Sequence, residues 1–304
     1  MIREEYDFSD VSDYLFQNVD LLIVGKPKED ERSYFFLEKW KSLGKDILIL
    51  DICNGLKLTY SFLHGSSIFE ETIDLCIGTP RLLRRLGIEQ KCILLDLASL
   101  SHVLIMFLTK QLLEQVVPRS LFAAYIRPDH YNVSSSAVGF SLSDQVLAVG
   151  AIPGFTKREC PSQTLCAFLG FEGVRLNNIL ESVHNVDRFV PVVAFPSGTP
   201  QWYKITVWNC MDTLQSECTD AVIHKCLSES IFSAIELLER NITTDEKVVL
   251  APLGTRPHSM ACAIFACMHP HARIIYDYVV EHNHRAIGIS DITVYHLSAF
   301  LQTS

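Results

Sequence analysis

The chain has no CxxC pair, no HExxH and no paired Cys/His zinc spacing, although it contains 10 cysteines and 11 histidines. A metal site of familiar spacing is therefore not expected. His269-Pro270-His271 and His282-Asn283-His284 read as surface histidines instead. The GxSxG elbow of serine hydrolases, the Walker A loop and the kinase glycine loop are missing as well. Gly170-Phe171-Glu172-Gly173 is not GxGxxG, and Gly254-Thr255-Arg256 lacks both the glycine spacing and the Lys-Ser/Thr of a phosphate loop. Established nucleotide hydrolases and dehydrogenases are disfavoured, and no catalytic residue, cofactor or metal ligand is assigned.

Long apolar runs are also scarce. The nearest approach to a membrane span, Cys92 to Leu113, is broken by Asp96, His102 and Lys110, whereas a span needs about 20 apolar residues. No membrane association is expected. The opening Met1-Ile2-Arg3-Glu4-Glu5-Tyr6-Asp7 is acidic and has no apolar signal core, so a cytoplasmic location is expected. In that compartment Cys76, Cys92, Cys166, Cys262 and Cys267, which lie in apolar runs, behave as small reduced hydrophobes. Basic residues are outnumbered, 26 Lys and Arg against 35 Asp and Glu, for a formal net charge of -9. That balance argues against an extended duplex nucleic-acid surface. The basic run Arg81-Leu82-Leu83-Arg84-Arg85 fits one solvated helix face.

What remains is a 304-residue chain, 48% hydrophobic and 20% charged, long enough for two folded domains. Buried strands are expected at Asp20 to Gly25, Ile47 to Asp51, Lys91 to Asp96 and Leu121 to Ile126, with helices between them. After a Ser- and Gly-rich connection from Asn132 to Pro161 the order recurs. Its strands are Leu165 to Gly170, Val190 to Pro196, Val248 to Pro252 and Ala272 to Tyr278, with a helix-rich insertion from about Val207 to Arg240. Apolar strands without polar alternation, separated by helices, indicate an α/β fold. Two tandem Rossmann-like units with mainly parallel sheets are expected, spanning 1–150 and 151–304 and produced by internal duplication.

The most informative repeat sets Asp96-Leu97-Ala98-Ser99-Leu100-Ser101-His102 against Pro252-Leu253-Gly254-Thr255-Arg256-Pro257-His258, which pairs His102 with His258. Both stretches read as strand end, turn and helix start. Unpaired N–H groups and the macrodipole make such a helix start suited to an anion. Ligands in open α/β sheets settle at the carboxyl ends of the strands. The candidate ligand-binding residues are accordingly Gly254, Thr255, Arg256, His258, Asp96, Ser99, His102, Glu172, Arg175 and Arg32. Arginines near helix starts offer bidentate phosphate contacts. Asp96 has three open roles: capping a helix, holding a ribose hydroxyl or acting as a base.

The turn Leu253-Gly254-Thr255-Arg256-Pro257-His258-Ser259-Met260 after an apolar strand resembles the Gly-Thr-Lys-Pro-Met type turn of the CRISPR-associated Rossmann fold family. The SAVED domain, its fused two-copy form, is similar in holding two Rossmann-like halves in one chain. The resemblance implies a sensor of cyclic oligonucleotides that controls an effector partner in antiviral defence. It also implies that Gly254, Thr255 and Arg256 contact phosphate or base, with Arg256 where that family often has lysine. The first copy, Ala98-Ser99-Leu100, lacks the glycine and the basic residue. Two functions stay open: a non-catalytic sensor of a nucleotide-like anionic ligand, and an enzyme acting on a nucleotide or phosphorylated sugar with Asp96, Glu172 or His258 as acid or base. A scaffold that has lost its ligand is a third.

Overall fold

A computed structural model describes residues 2–53, 55–131, 143–156, 160–196, 198, 200–217, 222–281 and 286–301. The chain forms two compact units, one of residues 1–131 with 286–304 and one of residues 132–285. The first contains β1 (Glu5–Asp7), α1 (Phe8–Asn18), β2 (Leu21–Gly25), α2 (Arg32–Ser42), β3 (Asp46–Cys53), β4 (Lys57–His64), β5 (Ser67–Asp74), α3 (Leu75–Arg85), β6 (Cys92–Asp96), α4 (His102–Lys110), β7 (Ser120–Ile126) and β8 (His130–Tyr131). The second holds β9 (Ser143–Ala151), β10 (Gln163–Phe168), α5 (Gly173–Ser182), β11 (Val186–Ala194), α6 (Pro200–Glu217), β12 (His224–Cys226), α7 (Ile231–Asn241), β13 (Val248–Pro252), α8 (Arg256–Met268) and β14 (Ala272–Glu281). The chain then returns to the first unit as β15 (Ala286–Ile287), β16 (Ile292–His296) and α9 (Leu297–Leu301).

The same four-strand core occurs twice. In the first unit it runs β3-β2-β6-β7 and in the second β11-β10-β13-β14, parallel throughout in both. Every residue of β2, β6, β10 and β13 is buried. These strands lie inside their sheets and are covered on both faces, which is why they read as unbroken apolar runs. One face of the first core packs Leu22, Val24 and Leu94 against Phe36 and Trp40 of α2. The second packs Leu165, Ala167 and Val249 against Leu176 and Ile179 of α5.

Outside the shared cores the sheets are mixed, where mainly parallel sheets were expected. β3, β4 and β5 form an antiparallel meander, and β16 runs antiparallel between β7 and β1. Gly65, at φ +58, allows the β4–β5 turn. The second sheet adds β12 parallel to β11 and β9 antiparallel to β14. Thus β9, which straddles the expected division at 150, pairs in the second sheet, and β16 pairs in the first. Within the connection expected over 132–161, residues 132–142 and 157–159 lie outside the described residues.

The core strands end in matching close contacts. A Cβ on Gly25 would collide with the Ser99 carbonyl, and one on Gly170 with the Leu253 carbonyl. Both obstacles are backbone, so neither can rotate away. Gly170→Ala is expected to lower the unfolding free energy by about 1–3 kcal/mol, the usual range for overpacking. A urea midpoint equal to that of the parent protein would show that the Leu253 turn yields instead.

Candidate functional site

In each core the strand order reverses between the first and third strands, β2 and β6 in one unit, β10 and β13 in the other. Such reversal points are where open α/β sheets leave a crevice. In the first unit the loop after β6 folds over Gly25. The Gly25 N–H donates to Ser99 Oγ at 2.9 Å, Ser99 Oγ donates to the Asp96 carbonyl at 3.3 Å, and Ala98 N–H donates to Asp96 Oδ1 at 2.9 Å. Asp96 is fully buried and helps shape this loop. Ser101 then caps α4 by accepting from Leu104 N–H. His102 is buried as the first helical residue.

The second turn is shorter. Leu253 and Gly254 alone separate β13 from Thr255, whose side chain caps α8 by accepting from His258 N–H. In the first unit Leu97 to Leu100 fill the corresponding gap before Ser101. His258 is consequently the third residue of its helix and His102 the first of its own. The expected pairing of these histidines fails because the first loop is longer.

Arg32 and Arg175 occupy comparable places at the starts of α2 and α5, and each reaches the fourth core strand. Arg32, 1% exposed, donates through Nη1 to the Ile126 carbonyl at 3.2 Å and through Nη2 to Asp30 Oδ2 at 2.6 Å. Arg175 grips Asp277 through two bonds, Nε to Oδ2 at 2.6 Å and Nη2 to Oδ1 at 2.7 Å, with its guanidinium 5.5 Å from the Tyr276 ring centre. Glu172 Oε2 lies 3.8 Å from Arg175 Nη1, and the Glu172 carboxylate accepts both from the Ser143 N–H and from its hydroxyl. Burial raises the Asp277 pKa from its ordinary value, while the hydrogen bonds from Arg175 oppose that rise. The guanidinium forks expected to hold phosphate thus face internal carboxylates. Asp277 escaped attention in the sequence, although an acid inside Ile274-Ile275-Tyr276-Asp277-Tyr278 signals a buried partner.

The Gly254 turn gathers the remaining candidates of the second unit. Arg175 Nη1 points to the Leu253 carbonyl at 3.5 Å, and Gly170 packs against the same residue. Thr255 Oγ1 donates to the Ser228 carbonyl at 2.7 Å, and His258 Nε2 bonds the Leu227 carbonyl at 2.9 Å. This turn therefore clasps the connection between β12 and α7, a role not foreseen from sequence. A carbonyl only accepts, so Nε2 carries the proton and Nδ1 is left as an acceptor. Nδ1 is buried without a hydrogen-bond partner, and a Cβ on Gly254 would stand 3.1 Å from it. Burial lowers the His258 pKa to about 4, and its ring leans on Phe168 at 4.8 Å. The imidazole is therefore neutral at pH 7. Arg256, the first residue of the 13-residue α8, is 7% exposed.

Among the described residues, no group of three His, Cys, Asp or Glu side chains could hold a metal ion, and no helix is long and apolar enough to cross a membrane. His269 stacks on Phe265 and His271 bonds Lys247, whereas 282–284 lie outside the described residues. Comparison with protein-family models, curated proteins and solved structures finds no match.

Proposed function

We propose that the second unit binds a nucleotide-like anionic ligand at the turn between β13 and α8, without turnover, and passes the bound state to an effector partner. The observation that supports this reading best is the Nδ1 of His258. It is buried, neutral and without a hydrogen-bond partner, beside a glycine at the point where strand order reverses. An acceptor of this kind suits a nucleobase N–H or a ribose hydroxyl. The amino end of α8 and Arg256 supply the positive field that favours phosphate. With the resemblance of Gly254-Thr255-Arg256-Pro257 to the CRISPR-associated Rossmann fold turn, a cyclic oligonucleotide in a SAVED-like sensor of antiviral defence is the specific form of the proposal.

Thermal-shift titration with mononucleotides and cyclic oligonucleotides, followed by product analysis of every hit, tests it. At least one anionic nucleotide should raise the melting temperature and be recovered intact. Arg256→Ala should weaken that ligand about tenfold or more, the usual effect of losing a charged hydrogen bond. Turnover that disappears in Asp96→Asn or His258→Ala would assign an enzyme in its place. A protein that no nucleotide stabilises would end the proposal.

A further inference from the structure

A separate polar constellation lies at the amino end of β7 in the first unit. Ser120 begins that strand, His296 ends β16, and Glu4 immediately precedes β1. His296 stands opposite Phe122 in the antiparallel register, which sets Ser120 diagonally beside it on the same face. The His296 N–H donates to the Glu4 carbonyl at 3.0 Å, so sheet pairing also fixes Glu4. The side chains continue the arrangement. His296 Nδ1 is 2.5 Å from Glu4 Oε2, and Nε2 is 3.1 Å from Ser120 Oγ.

The proton positions follow from what each group can do. An ionised carboxylate only accepts, so Nδ1 carries the hydrogen, and in its neutral form the ring turns the Nε2 lone pair to the Ser120 hydroxyl. Phe122 stacks on the imidazole with ring centres 4.2 Å apart and planes 13° from parallel. The ring is therefore fixed by a carboxylate on one side and an aromatic face on another. Its side chain keeps 24% exposure and Glu4 31%, which leaves a path from solvent. Burial raises the neighbouring Cys92 thiol, hydrogen-bonded to Ser120, so it stays protonated.

A charged groove opens next to this set. Arg119, which precedes Ser120, lines it with Asp20, Lys45, Asp46 and Lys91, and the Lys91 carbonyl accepts from the Ser120 N–H. Arg119 pairs with Asp20 and Lys91 with Asp46, while Lys45 donates to the carbonyls of Gln17 and Val19. The cations exceed the carboxylates there, which favours a substrate with an anionic group.

We propose that Ser120, His296 and Glu4 form a nucleophile, base and positioning residue that hydrolyse carboxylic esters bearing an anionic group. Ser120 Oγ bonds to the acyl carbon as its proton moves to His296 Nε2. The ester C–O bond breaks, and the departing alcohol takes that proton. Water then gives a proton to Nε2 while its oxygen bonds to the acyl carbon; return of the proton to Ser120 releases the acid. Glu4 holds the ring and stabilises its protonated form. Such a relay is recognised by geometry rather than by sequence order, and Arg119-Ser120-Leu121 carries no GxSxG signature.

The full chain is treated with a fluorophosphonate probe and mapped by peptide mass spectrometry, and hydrolysis of p-nitrophenyl hemisuccinate is followed in parallel. A phosphonyl adduct on Ser120 is expected, with hydrolysis at least about 100-fold slower in Ser120→Ala. Glu4→Gln should lower kcat about tenfold or more while leaving KM within about twofold. No adduct on Ser120 of the native protein, or undiminished hydrolysis in a folded Ser120→Ala, would overturn the proposal. A Glu4→Gln variant altered in thermal stability alone would remove Glu4 from it.

Discussion

Asp277→Ala is expected to lower the unfolding free energy by about 3–5 kcal/mol, the largest effect of any single substitution considered for this chain. Arg175 is 7% exposed and Asp277 fully buried, so truncating the acid leaves a guanidinium charge away from water and without its bidentate partner, with Glu172 Oε2 at 3.8 Å and the Leu253 carbonyl at 3.5 Å still facing it. The penalty comes from that stranded charge more than from the lost attraction. Removing both charges together, as Arg175→Met with Asp277→Leu, should therefore recover part of the loss, with Glu172 keeping its bonds from Ser143 but losing its cation. Asp30→Ala should be milder, because Asp30 keeps 12% side-chain exposure and water can follow it to Arg32, although Arg32 then keeps only the Ile126 carbonyl. Urea denaturation of the four proteins measures all of these. A loss below about 1 kcal/mol for Asp277→Ala would mean that water reaches Arg175, as it does around exposed pairs.

Acidification should weaken the fold through His258. Its folded pKa is about 4, against an ordinary value of 6.5. The unfolded chain thus takes up the proton first. Above about pH 6.5 neither state is protonated and the residue contributes no pH dependence. Between 6.5 and 4 the unfolded state gains protonation free energy that the folded state does not match. The fold should lose about 3 kcal/mol over that window at about 1.4 kcal/mol per pH unit. His258→Gln keeps an N–H for the Leu227 carbonyl but cannot titrate, so its stability should fall less steeply from pH 7 to pH 4. His269, whose pKa burial also lowers, is common to both proteins and cancels in the comparison. Parallel stability curves for the two would remove His258 as the titrating group.

These two effects also mark where the sequence stops being readable. The central strands announce themselves, since Leu21 to Gly25 and Val248 to Pro252 are buried along their whole length. β5 does not, because nearly all of Ser67 to Asp74 is exposed and leaves no buried pattern to read. β16 is not legible for a different reason. Its place beside β7 comes from antiparallel pairing with strand residues far away in the chain, which local periodicity does not encode.

By itself, then, the sequence determined the repeated core of apolar strands and helices, and the glycines and polar turns that end those strands. Burial periodicity and turn chemistry are local properties that survive in one dimension. Tertiary structure alone decided the destination of each charge and the length of each crossover loop. Arg175 and Asp277 are 102 positions apart, and only the fold makes them a pair. The two-residue difference before α4 and α8 likewise separates histidines that align in sequence. Helix caps are set by backbone path, and that path answers to packing across the whole unit.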